Sequence, residues 1–216
     1  MCVYPNPNHR LPLTPDHLRR IYCAWSQPPI TLNRTMLWAA FCMGFFAFMR
    51  SGEFTSTIQD GEHVASVSIS DVSVDSRTNP QVLTIHLRRS KTDQFSEGTH
   101  IHLGRTGDYL CPVAAILAYL AVWPMKPGPL FVFQDGSPLS RRQLITHLRS
   151  ALSEAGINTT GFSGHSFRIG VATTAASVGL SDSLIQHLGR WKSAAFKSYI
   201  RKSSKEIAAV TAHLAA

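Results

Sequence analysis

Between Met36 and Met49 the chain carries no polar or charged residue. A helix that is apolar on every side has no face to offer water, so the rest of the chain must wrap around it. The stretch falls short of the about 20 apolar residues that a membrane-crossing helix needs. A helix from about Thr31 to Met49 is therefore expected at the centre of a globular domain, with Arg50 emerging where that helix ends. At 216 residues, 44% of them hydrophobic, the chain can build such a core in one piece.

The elements expected around this helix follow from local signals. Thr14-Pro15-Asp16 reads as a helix start, with threonine capping, proline at the first helical position and an acid in the first turn. Leu18, Ile21, Tyr22 and Trp25 then share one face. From Val64 to Leu103 apolar residues alternate, at Val67 and Ile69, at Leu83, Ile85 and Leu87, and at Ile101 and Leu103, which predicts three short strands. The loop before the last strand, Ser90 to Gly98, carries Lys91. Helices are expected again at Pro112–Trp123, Ser140–Ala155, His165–Val178 and Ser181–Leu188, with Gly156, Gly179 and Gly189 as stops, and finally at Ser203–Leu214. The fold class is α+β, mainly helical, with one small three-stranded antiparallel sheet. One domain is expected over residues 14–216, after a loose arm over residues 1–13.

Lys and Arg number 21 against 13 acids, a net charge of +8, which favours a polyanionic partner and nucleic acid above all. Cys2, Cys23, Cys42 and Cys111 form no Cys-x-x-Cys pair and read as reduced core residues. Met1 to Arg10 lacks the apolar stretch of a secretory signal, so a soluble intracellular protein is expected. The ten histidines and thirteen acids show no metal-ligand spacing, and no metal or other cofactor is expected.

Four His-x-x-Arg spacings occur, at His17/Arg20, His86/Arg89, His102/Arg105 and His165/Arg168. Residues three apart share one face of a helix but diverge across a strand, which removes the two in the sheet as joint ligands. His17 stands without polar companions. His165 alone opens a helix after a glycine-bounded turn, Gly161 to Gly164, where free backbone N–H groups would favour a phosphate. Each other candidate has an ordinary structural role open to it. Arg50 suits the C-terminal dipole of the core helix, Lys91 a solvated loop, and Tyr199 a ring on the core with its hydroxyl in water.

Taken in order, Arg50 in Ala47-Phe-Met-Arg-Ser-Gly-Glu53, Lys91 in the hairpin loop, His165-Ser-Phe-Arg168, Leu188-Gly-Arg-Trp191 and Tyr199-Ile-Arg201 resemble the catalytic domain of tyrosine recombinases, the phage integrase family. The wording around Ser163-Gly-His-Ser-Phe-Arg-Ile-Gly170 is most similar to recombinases of eukaryotic DIRS-like retroelements, a class of transposable element. The resemblance implies catalytic roles for Arg50, Lys91, His165, Arg168, Trp191 and Tyr199. Glu53 and Arg190 support them, and Arg50, Lys91, Arg168 and Arg190 contact DNA. The family's histidine or tryptophan nine residues before the nucleophile falls on Arg190 by count and on Trp191 by chemistry, since an indole N–H can donate to a phosphate oxygen.

By that resemblance the activity is cleavage and rejoining of double-stranded DNA through a 3′-phosphotyrosyl link, in recombination or integration, without metal or small-molecule cofactor. Assembly as a homo-oligomer on DNA and a nuclear location are also implied, with no membrane association. The family's additional helical core-binding domain has no expected counterpart in the residues before Thr14. Two other functions fit the same residues: a DNA-binding remnant without catalysis, and relaxation of DNA in the manner of type IB topoisomerases.

Overall fold

A computed structural model describes residues 10–59, 62–88, 98–123 and 127–201. Thr14 caps α1 (Pro15–Trp25), with the His17 N–H donating to its hydroxyl at 3.3 Å and proline in the first turn. Leu18, Ile21 and Trp25 are buried, and Tyr22 stacks on Tyr109 at the edge. Thr31 caps α2 (Leu32–Phe46), which lies at the centre of the core and packs against the later helices Pro112–Val122 and Ser166–Ser177. It ends earlier than Met49 because Phe48 takes φ 51°, the left-handed conformation that closes a helix and that a β-carbon makes costly. A short helix that the sequence did not announce, α3 (Ser51–Phe54), follows at once.

The expected three-stranded antiparallel sheet is present, with strand order β3-β4-β5, but its first strand is displaced. Val67 and Ile69 are not in it. Ser68 and Asp71 instead form a capping box, Ser68 N–H to Asp71 Oδ2 at 2.8 Å, around a 3₁₀ turn. The strand is β3 (Val72–Val74), paired with β4 (Val82–Leu87), which pairs in turn with β5 (Thr99–Gly104). Leu83, Ile85 and Leu87 face the core, so their alternation was a true strand signal. A further hairpin, β1 (Thr57–Gln59) with β2 (Glu62–Val64), stands apart from the sheet.

The second half is helical as expected: α4 (Pro112–Val122), α5 (Arg141–Glu154), α6 (Ser166–Ser177) and α7 (Asp182–Leu188), followed by a 3₁₀ turn over Ala194–Tyr199. Ser140 and Gln143 make the capping box that starts α5. Residues 11–13 are not loose. The Leu11 N–H donates to Gly161 O at 3.0 Å, the Leu13 N–H donates to Ser166 O at 2.9 Å, and the Leu13 side chain is fully buried. Gly170 permits this crossing, since a β-carbon there would lie 1.7 Å from Leu13 O. The loop with Lys91 and the expected helix Ser203–Leu214 lie outside the described residues.

Candidate active site

The first corner of the site is built at the end of α2. Arg50 supplies the N-cap position of α3, and Glu53 turns back on it: Glu53 Oε2 accepts the Arg50 N–H at 2.8 Å, and Oε1 accepts Arg50 Nη1 at 2.6 Å. Glu53 is almost fully buried and also accepts Arg190 Nη2 on Oε2 at 2.8 Å. One carboxylate thus holds two guanidiniums that lie far apart in the chain. A buried charge is tolerable only when paired in this way.

The second corner is the start of α6. His165 occupies the N-cap position with a helical backbone and makes no side-chain cap bond, which leaves its ring to face a cleft. Most amides of the turn before it are already engaged, and those of Gly161 and Gly164 have no acceptor among the described residues. Ser163 N–H donates to Ser166 Oγ at 2.9 Å, His165 N–H to Ser163 Oγ at 3.3 Å, and Ser166 N–H to Ser163 O at 3.0 Å. Burial lowers the His165 pKa, and Arg10, Arg141, Arg168 and Arg50 lower it further, so the imidazole is neutral at pH 7.

One turn on, Arg168 is 1% exposed. Its Nη1 donates to Phe48 O at 2.6 Å and its Nη2 to Gly189 O at 2.8 Å, while Nε is buried without a partner. Burial, with Arg50 nearby, brings its pKa down to about 10, which still leaves it charged at neutral pH. Both carbonyls come from strained surroundings. Phe48 and Arg190, at φ 51° and 54°, are the non-glycine residues with positive φ among those described, and each sits at or beside one acceptor.

Trp191 covers Arg168, with Cζ 4.1 Å from a ring centroid, and is packed among Phe48, Phe196 and Tyr199. Gly189 is the helix stop expected, the C-cap of α7 with φ an ordinary −81°, and Arg190 after it takes the left-handed place. The glycine serves the indole: a β-carbon at Gly189 would lie 1.5 Å from the Trp191 ring. Tyr199 ends the last 3₁₀ turn, its carbonyl accepting from Thr173 Oγ1 at 3.3 Å and its ring 5.4 Å from that of Trp191. Its hydroxyl has no hydrogen-bond partner among the described residues.

Arg50, His165, Arg168, Trp191 and Tyr199 therefore line one cleft of about 780 Å³. Arg190 does not. Its guanidinium is spent on Glu53 and on Ala47 O at 3.3 Å, and it borders a neighbouring cleft of about 740 Å³. The same cleft also takes in Ser51, Arg141 and Lys192, which the sequence does not single out because nothing marks them apart from any capped helix start or surface lysine.

Residues 66–206 match the phage integrase family. The chain belongs to that family. No curated protein sequence matches it. Among solved structures the integrase-family fold is similar to XerA recombinase, with a TM-score of 0.69 and 18% identity, over 97% of this chain and 65% of that one. XerH recombinase bound to palindromic difH substrate, in a post-cleavage complex, gives a TM-score of 0.67 and 16% identity over 98% of this chain and 54% of that one. A lambda integrase dimer bound to a COC′ core site gives 0.60 and 19%, over 89% and 48%. At such identities these likenesses show the fold. The chain spans about half to two thirds of the length of the recombinases it matches.

Proposed function

We propose that this integrase-family chain cleaves and rejoins duplex DNA through a 3′-phosphotyrosyl intermediate. The observation that carries the reading is the convergence of Arg50, His165, Arg168 and Tyr199, spread from residue 50 to residue 199, on one cleft. In-line attack on a phosphodiester spreads extra charge over the equatorial oxygens, and cations held in place before the reaction stabilise that charge. Arg50 and Arg168 serve there, and the cleft's acid, Glu53, is already engaged with Arg50 and Arg190.

Tyr199 Oη attacks phosphorus, its proton passes to the neutral His165, and the bond from phosphorus to the 5′-oxygen breaks. Lys91 protonates the leaving 5′-oxygen in this scheme, and a 5′-hydroxyl reverses the step without an external energy source. No metal or other cofactor takes part. Trp191 takes the place before the tyrosine by packing over Arg168, while Arg190 acts through Glu53 as a positioning residue. The activity belongs to recombination or integration by a DIRS-like transposable element, acting in the nucleus on double-stranded DNA as a homo-oligomer. The DNA-bound XerH and lambda integrase structures, the latter a dimer, support the partner and the assembly.

The test is covalent trapping. Nicked duplex DNA incubated with the protein and then denatured should yield a protein–DNA adduct, and Tyr199→Phe should abolish it while duplex binding persists. A second reading, binding without cleavage, is favoured by the enclosure of Arg168, which has one bond to each of two carbonyls and an indole across its face. Duplex binding with no adduct on any nicked substrate would establish it. Relaxation of supercoiled plasmid without strand exchange would point instead to topoisomerase-like action.

A further inference from the structure

We infer that Arg141 and Arg10 hold a second backbone phosphate, next to the one attacked; this rests on the cleavage reading for its substrate. The cleft carries more positive charge than one phosphodiester requires. Arg50 and Arg168 serve the reacting phosphate, and Arg141 and Lys192 line the same wall with no ion-pair or hydrogen-bond partner among the described residues. Glu53 cannot neutralise them, since both of its oxygens are occupied by Arg50 and Arg190.

Arg141 is the first residue of α5, directly after the Ser140–Gln143 capping box, so its backbone position is fixed while its guanidinium is exposed. Gly164 brings it against the site. A β-carbon on Gly164 would lie 2.5 Å from Ser51 Oγ and 3.6 Å from Arg141 Nε, so Arg141 stands beside the residue that follows Arg50 and the residue that precedes His165. Arg10 is held near the same turn, since the N–H of the next residue, Leu11, donates to Gly161 O at 3.0 Å. It too is exposed and has no partner among the described residues. Both arginines lie near enough to His165 to hold its pKa down. Two solvated forks beside an imidazole suit a polyanion that continues past the reacting linkage, and a DNA strand supplies a phosphate on either side of every phosphate.

The experiment measures duplex binding by Tyr199→Phe protein, which cannot form the adduct, across a range of salt concentrations. Each phosphate that the protein no longer neutralises should lower the slope of log K against log salt by about 0.9. Adding Arg10→Ala and Arg141→Ala together should lower it by that amount, whereas Arg19→Ala, which removes an arginine paired with Asp108, should leave it unchanged. In the folded double variant the His165 pKa, followed by NMR, should also rise. An unchanged slope, or an unmoved His165 pKa, overturns the inference. Adduct formation by the wild type with an unchanged slope sinks this inference alone. A lowered slope with no adduct sinks the cleavage reading alone, and absence of duplex binding sinks both.

Discussion

The guanidinium Cζ of Arg168 lies over the indole of Trp191, 4.1 Å from a ring centroid, and the absence of a side chain at Gly189 leaves the ring its room. Gly189→Ala should therefore displace the ring. The residue's φ of −81° suits alanine, so the cost is steric and not conformational. Overpacking of this kind costs about 2 kcal/mol. A lower urea midpoint should accompany a red shift of tryptophan emission as the ring meets water. A variant as stable as wild type would show that the indole is not seated there.

Glu53 is the shared acceptor for Arg50 and Arg190, and removing it leaves two guanidiniums facing each other without a counter-charge. Breaking a buried pair by deleting one partner costs about 3 kcal/mol. Glu53→Ala should lose about that much stability in chemical denaturation, and Glu53→Gln less, because the amide oxygen still accepts one donor. Both should form adduct more slowly, as Arg50 loses the anchor that aims it.

Arg190 combines a useful side chain with a costly backbone, φ 54°. Glycine adopts that conformation freely and alanine does not, so Arg190→Gly should be more stable than Arg190→Ala by about 1 kcal/mol. Both lose the same ion pair with Glu53, so the difference isolates the strain. Equal midpoints for the two variants would place the residue in an ordinary conformation.

His165, His17 and His147 each have a pKa below the usual value near 6.5, in every case chiefly through burial. The unfolded chain therefore binds protons more readily than the folded one as pH falls through 6.5, and stability must drop there. The denaturation midpoint should be level above about pH 7 and decline on acidification below 6.5. His165→Gln should shallow that decline. The same lowered imidazole pKa should place the acid limb of adduct formation below the usual histidine value near 6.5.

Gly170→Ala should free the segment that crosses α6, because its methyl group would lie 1.7 Å from Leu13 O. Faster amide exchange at Leu11 and Leu13, whose N–H groups are bonded to Gly161 and Ser166, would report the release. Unchanged protection would mean that the crossing does not depend on the missing side chain.

The longer described helices were legible because their punctuation is local, whereas α3 was not. Thr14 with Pro15, Ser140 with Gln143, and Ser181 each mark a start within one turn, and the structure places α1, α5 and α7 on those marks. The first strand was misplaced because Val67 and Ile69 alternate like a strand, while the nearby Ser68-x-x-Asp71 capping box, also visible in the sequence, closes a turn between them and Val72. Arg50, His165, Arg168 and Tyr199 could be chosen from their order along the chain, and they do share a cleft. The direction of Arg190 could not be read, nor the purpose of Gly189, since both depend on backbone angles set by contacts with the end of α2, more than a hundred residues away. Phe48 in a left-handed conformation leaves no signature at all.

The bond that Glu53 makes to Arg190 spans most of the molecule's length, and it has a bearing on when the cleft can work. A nascent or clipped polypeptide that lacks the region around Arg190 has the Arg50 corner but not its second clasp, and it lacks Trp191 and Tyr199 as well. Completion of the cleft thus waits on both ends of that span being present and packed together.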